Sequence, residues 1–301
     1  MKLTPRSYAT RTPRSSGATG GAIAARLRSS IVSERVTPAA EPRPAELIDT
    51  HCHLDVAAVD ADRDAVVARA AAAGVVGILI PAIRPRTWDA MRALARRHAA
   101  AGVRCALGIH PQIVPELEPG ELAGDLTARL IEAARDAIAI GECGLDGGTG
   151  AQALQDQIFR AHVRAARATG KPLVIHVLRA HDAAPRILRE EGPVAGVLHS
   201  YSGGAGLVPV YRDLGLAFSF AGPVTYGNAR RPLEAARAIP AELLLAETDA
   251  PDQAPAVYRG HRSEPAYVAA VVSGLATARG VTAAEVAALT TANARRIFAS
   301  W

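Results

Sequence analysis

Two histidines two residues apart, His51 and His53, close the apolar run Ile48-Asp49-Thr50-His51-Cys52-His53. On an extended strand, residues two apart point to the same face, so both imidazoles can reach one ion. Taken alone, the pair serves equally well for hydrogen bonding at a surface. Four more ligand-type residues change that weighing, because Glu142, His176, His199 and Asp249 each end another short apolar run or follow one closely. Acids and imidazoles gathered this way without a metal would be self-repulsive, or unsatisfied once dehydrated. The expectation is a metal centre.

The elements that must carry these residues can be read from hydrophobic spacing. Apolar runs at 46–51, 75–81, 103–109, 136–141, 172–176, 194–199, 215–219 and 242–247 read as strands. Between them, segments 60–73, 86–101, 121–135, 152–169, 182–191 and 205–213 carry apolar residues at helical spacing. Strands alternating with helices imply parallel βαβ units, and eight such units over about 255 residues fit a closed (β/α)8 TIM barrel of the α/β class. The stretch 220–241 reads as a loop before a short helix, and helical patterns at 264–279, 282–290 and 292–299 close the chain. In a barrel the carboxyl ends of the strands converge on one face, which would collect all six candidate ligands.

Composition bounds the remainder. Aromatic residues make up only 4% of the chain while hydrophobic residues make up 49%, so the core must be built from Ala, Val, Leu and Ile. The formal charge of +5 is concentrated in residues 1–45, where eight basic residues face only Glu34 and Glu41. The body from 46 to 301 is then nearly neutral, and the charge gives no sign of a basic nucleic-acid groove. Residues 1–45 read as a disordered basic extension; a transit peptide shares this Arg-rich, acid-poor composition. Cys52, Cys105 and Cys143 show no CxxC spacing and read as free thiols of a cytoplasmic protein. No apolar run reaches the roughly 20 residues that span a bilayer, so no membrane partner is expected.

The residues also carry a resemblance. IDTHCHLD (48–55), Gly108-Ile109-His110-Pro111, GECGLD (141–146), the Ile-His pair ending at His176, HSYSG (199–203) and ETDAPD (247–252) look like the motifs of the TatD family, in family order, over about residues 46–300. The resemblance implies an amidohydrolase-like metal barrel in which His51 and His53 hold one ion and His176 and His199 a second. Glu142 would bridge them, and Asp249 would complete the first site and act as general base. Two cations about 3.5–4 Å apart activate a shared water and stabilise attacking and leaving oxygens at phosphorus. The imidazole-rich set suits Zn, with Mg or Mn as alternatives.

Three positions depart from the family. The arginine often found two residues after the fifth-strand histidine is Leu178, with Arg179 one place later. HCFSG becomes HSYSG, and a helix glutamine common in the family is His162. Candidate substrate contacts are His110, Arg179, Tyr201, Ser202 and Tyr226. For Asp49 two roles stand open, a hydrogen bond to a ligand or a backbone cap. Cys52 and Cys143 should face away from the ligands as apolar filler, while His98, His162, His181 and His261 read as solvated.

Other classes are weaker. Gly148-Thr149-Gly150-Ala151-Gln152-Ala153 matches GxGxxA, but Lys171 to His176 lacks the acid that a dinucleotide site needs, so the glycines read as a flexible loop. Ser202 lacks a GxSxG elbow. A non-catalytic descendant would have lost a ligand, and all six are present. The remaining choice lies among metal-dependent hydrolases: a phosphodiesterase or 3′–5′ exodeoxyribonuclease acting on single-stranded DNA or RNA ends, or an ester or amide hydrolase such as an aminoacyl-tRNA deacylase. Sequence-specific DNA binding is not expected, and the oligomeric state is open.

Overall fold

The computed structural model describes residues 45–299 and 301. The expected disorder of residues 1–45 therefore falls, Ala45 apart, outside the described residues. Eight strands run in parallel and pair in sequence order: β1 (Leu47–Asp49), β2 (Val75–Pro81), β3 (Val103–Leu107), β4 (Ala139–Asp146), β5 (Leu173–Leu178), β6 (Gly196–Leu198), β7 (Leu216–Phe220) and β8 (Leu244–Ala246). The ring closes where Thr50 N donates to Ala246 O (3.2 Å) and Cys52 bridges to Ala250. This is the expected (β/α)8 barrel. Its outer helices are α1 (Arg63–Ala72), α2 (Trp88–Arg97), α3 (Leu126–Ala133), α4 (Gln152–Thr169), α5 (Ala183–Glu191), α6 (Val208–Arg212), α7 (Arg230–Ala238), α8 (Val268–Arg279) and α9 (Ala283–Phe298).

Strand alternation divides the apolar residues into two cores. One residue from each strand (Ile48, Leu79, Ala106, Ala139, Val174, Val197, Ala217 and Leu245) forms a layer inside the barrel, closed from below by Phe298 and Trp301. Three of the eight are alanines, which leaves room for these aromatic rings. The opposite faces, with Leu54, Ile80, Leu107, Phe159, Ile187, Phe218 and Leu275, pack between sheet and helices. Period-two geometry then builds the site, because the next inward residues above Val174, Val197 and Leu245 are His176, His199 and Glu247.

The fourth strand departs from the sequence reading. It extends to Asp146 instead of ending at 141, so Glu142 sits within it. Strict alternation from Ala139 would turn Gly141 inward, but the register shifts between Ile140 and Cys143. Gly141 has φ +150°, and a Cβ there would lie 2.6 Å from Val174 O, so only glycine fits this shift. At the carboxyl end, α9 is one continuous helix where two were expected. Thr291, near the expected break, stays helical, and its hydroxyl donates to Glu46 O (2.8 Å). No single helix among the described residues is long and apolar enough to cross a membrane.

Candidate metal centre

The six residues expected as ligands come together at the carboxyl ends of the strands, around the fully buried Glu142. Its two carboxylate oxygens face different partners. Oε2 lies 3.1 Å from His51 Nε2 and 3.6 Å from His53 Nε2, and those two nitrogens lie 3.5 and 3.8 Å from Asp249 Oδ1. Oε1 lies 2.8 Å from His199 Nε2, 3.2 Å from His176 Nδ1 and 2.8 Å from His110 Nε2. Despite five nearby imidazole nitrogens, neither oxygen receives an aligned hydrogen bond. A buried carboxylate left this way, among nitrogens and a second acid, is the donor set of a divalent cation site. Burial pushes the Glu142 carboxyl up, but His110, His199 and His51 outweigh it and hold it well below the usual range. Asp249 is likewise held low against its burial, by His51, His199 and His53.

Ring tautomers sort these histidines. A metal ligand needs a nitrogen lone pair turned inward, which follows when the other ring nitrogen gives its proton to an outer acceptor. Asp55 Oδ1 stands 3.8 Å from His53 Nδ1, Asp146 Oδ2 3.4 Å from His176 Nε2, and Glu247 Oε1 3.6 Å from His199 Nδ1. At these distances none of the three makes an aligned hydrogen bond to its ring, but each acid faces the outer nitrogen and favours a proton there, which turns the other nitrogen toward the centre. His110 is the reverse case. Its Nδ1 accepts the backbone N–H of Gln112 (3.0 Å), so Nε2 must carry the proton that points at the centre. His110, Glu142 and His176 are close enough to hold an ion, but the tautomer makes His110 a hydrogen-bond donor. Burial, outweighing the attraction of Glu142, lowers its pKa.

Further residues hold this arrangement, and of them only Asp49 had a role foreseen from the sequence. Gln253 Nε2 donates to Asp249 Oδ2 and to Ser200 Oγ (2.8 Å), which leaves Asp249 Oδ1 for the centre. Asp249, Ser200 and Gln253 all adopt left-handed backbone (φ +51°, +41° and +50°) without being glycine, a strain of about 1 kcal/mol or more each that clusters at functional sites. Asp49 takes the backbone role: it accepts His51 N (3.3 Å), Thr248 N (2.9 Å) and Thr248 Oγ1 (2.5 Å). It thereby ties the end of β1 to that of β8, so that His51 and Asp249 arrive together. With burial as the main cause, its pKa rises to about 8.

Three of the four histidines expected to be solvated are not: His98 is largely buried, with Nε2 3.4 Å from Asp64, and His162 and His181 are held in place. His162 is fully buried on α4; its Nδ1 donates to Ile158 O (2.7 Å) and its Nε2 accepts Ile109 N (3.0 Å), which fixes the chain just before His110. His181 bonds Tyr211 Oη (2.9 Å) through Nδ1 and approaches Ser202 Oγ (3.4 Å) through Nε2. The loop at Gly148 is not free either: Gln152 Nε2 donates to Asp146 O (2.8 Å) and Gln155 Nε2 to Gly150 O (2.9 Å). Cys52 and Cys143 are buried free thiols, pushed up by burial.

The centre opens into a cavity of about 940 Å³ lined by His110 and Ser202 and walled by Val56, Ile83, Ile113, Val177 and Leu178. Three expected substrate contacts lie elsewhere. Arg179 takes φ +52° just after β5 and is exposed, with its guanidinium beside Gly148 and outside the cavity lining, so Leu178 forms the wall instead. Tyr201 is buried against Phe218 and Phe220, and its hydroxyl donates to Gly204 O (3.0 Å). Tyr226 donates to Ala254 O (2.9 Å) and is not among the residues that line the cavity.

Comparison with known proteins agrees with this geometry. The family model described as TatD related DNase matches residues 48–299. The uncharacterized metal-dependent hydrolase YabD of Bacillus subtilis (strain 168) is 34% identical over 257 residues, covering 84% of this chain and 98% of its own. The uncharacterized metal-dependent hydrolase YcfH of Escherichia coli (strain K12) is 35% identical over 259 residues, covering 84% and 95%. Among solved structures, the TatD homologue YjjV of E. coli K12 superposes with a TM-score of 0.78 at 28% identity, covering 85% of this chain and 99% of its own. With its His/Glu cluster at the mouth of the barrel, this chain belongs to the TatD family of metal-dependent hydrolases.

Proposed function

We propose that this hydrolase is a phosphodiesterase that removes nucleotides from the 3′ ends of single-stranded DNA or RNA. The observation that carries the reading is the division of Glu142, with one oxygen toward His51, His53 and Asp249 and the other toward His176 and His199. Such a set suits two divalent cations, Zn by its imidazole content with Mg or Mn as alternatives. When bound, they supply water activation and stabilisation of charge on the phosphoryl oxygens. Asp249 Oδ1, with Oδ2 held by Gln253, is placed to take the proton of the attacking water. His110 Nε2–H donates to a phosphoryl oxygen, and Ser202 lines the entry. Three buried free thiols fit a cytoplasmic enzyme.

A second reading is favoured by one feature. Among the described residues no Lys or Arg lines the cavity, and Leu178 stands where a cation was expected. An ester or amide hydrolase, such as an aminoacyl-tRNA deacylase, would have less need of a cation there. The test is hydrolysis of single-stranded DNA, RNA, a simple phosphodiester and an aminoacyl ester by metal-reconstituted wild type and Asp249→Asn. Asp249-dependent shortening of DNA or RNA from the 3′ end is expected. Cleavage confined to the ester would transfer the protein to the second reading, and full activity of Asp249→Asn would remove Asp249 as base.

A further inference from the structure

The loop after β8 leaves the cavity wall at Pro251, Asp252 and Gln253 and continues into the exposed segment 256–261. It is firmly anchored. Ala256 N donates to Thr225 Oγ1 (2.7 Å), Tyr226 Oη to Ala254 O (2.9 Å) and Ser263 N to Pro251 O (2.9 Å), while Arg262 pairs with Asp62 (2.8 Å) and Glu264 (3.0 Å). On this rigid base stands a pair of flat rings. Tyr258 lies parallel to Tyr267 with centroids 3.7 Å apart and planes 6° apart. One face of Tyr258 is covered by its partner, so its 36% exposure falls on the outer face and edge. Val257 beside it is 77% exposed. The guanidinium of the exposed Arg259 lies 5.2 Å from the Tyr226 ring centre and forms no ion pair among the described residues.

We propose that Tyr258, backed by Tyr267 and flanked by Arg259, is a base-stacking platform that holds a single-stranded nucleic acid a few nucleotides from the bond being cut. The proposal rests on the nuclease reading. A parallel aromatic pair with an open outer face extends by accepting another flat ring, and every nucleobase offers one. The adjacent cation supplies the phosphate contact that the cavity lining lacks. Tyr258 lies five positions beyond Gln253, a span of at most about 18 Å, so strand and active centre can be engaged together. Anchoring at both ends of the loop means that little ordering is needed on binding.

The experiment is fluorescence anisotropy with a labelled short single-stranded oligothymidylate, on the Asp249→Asn background so that the strand is not consumed. Tyr258→Ala should bind about 5-fold to 150-fold more weakly, the range of base–aromatic stacking, while Tyr258→Phe binds as the parent does. Arg259→Ala should lower the slope of log affinity against log salt by about 0.7, one single-strand phosphate contact. Melting temperatures of the same variants identify any loss of fold. If the otherwise wild-type enzyme shortens oligothymidylate but Tyr258→Ala binds as tightly as its parent, the platform is refuted and the nuclease reading stands. If the wild type neither shortens the oligonucleotide nor its Asp249→Asn form binds it, both fall.

Discussion

Replacing the buried imidazole of His162 should remove a pH dependence of stability that this ring alone imposes. In the fold it donates to Ile158 O and accepts Ile109 N, and burial lowers its pKa from 6.5 to about 4. Between those values the unfolded chain binds a proton at this residue that the native ring refuses, so stability falls as pH falls. The contribution is fully present above pH 6.5 and is lost progressively toward pH 4. From pH 8 to pH 4.5 the two titrations differ by about 2.5 kcal/mol. His162→Gln places at this site the residue common in the family, with one donor and one acceptor of similar reach and no titration. At pH 8 the variant should lie within about 1 kcal/mol of wild type, in the normal range for a swap that keeps both bonds. At pH 4.5 it should be the more stable protein by about 2.5 kcal/mol, or about 5–10 °C in melting temperature. Urea denaturation of the metal-free proteins at both pH values measures the difference, and the other histidines cancel between the two proteins. A gap of equal size at both pH values would refute the reasoning, because it would mean that His162 does not titrate differently on folding.

The same geometry sets further expectations. Asp146→Asn keeps the oxygen that accepts Gly148 N but turns an amide N–H toward Gln112 Nε2 and His176 Nε2, so Zn affinity measured by competition with a chelator should fall about 10–100-fold, with about 1 kcal/mol of stability lost with the Gln112 bond. An unchanged affinity would remove Asp146 from the centre. Gln253→Ala frees Asp249 Oδ2 and should lower kcat with a small effect on KM, whereas a change in KM alone would make Gln253 a substrate contact. Tyr201→Phe should cost about 1 kcal/mol of stability through the lost bond to Gly204 O and leave KM unaltered, since the ring does not reach the cavity. A raised KM would return Tyr201 to the substrate.

Much of the architecture was legible because it follows from local periodicity. Alternating apolar runs and helical stretches announce a parallel barrel, and the barrel then dictates that residues at carboxyl strand ends converge. His51, His53, His176, His199 and Asp249 can therefore be grouped from the sequence. Residue type helped, since imidazoles and acids ending apolar runs have few other uses. Glu142 was found by the same route although its strand proved longer, because a register shift at Gly141 supplies what the expected strand end would have supplied.

What tertiary structure alone decided is which way each polar group faces and what it meets there. His162 and His181 were expected in solvent, but burial of a helical residue depends on the neighbouring helices and loops, which lie far away in sequence. Arg179 and Tyr201 belong to the right loops and point away from the cavity, because one positive φ turns the first outward and an aromatic cluster captures the second. Asp55, Asp146 and Glu247 stood inside the recognised motifs without a role until each was seen beside the outer nitrogen of a histidine. The sequence by itself determined the barrel and the set of residues at its mouth, since spacing along one strand is a local property. Which groups face the outer nitrogens of His176 and His199 came only from contacts between strands, where Asp146 and Glu247 are brought up by the packing of the whole barrel.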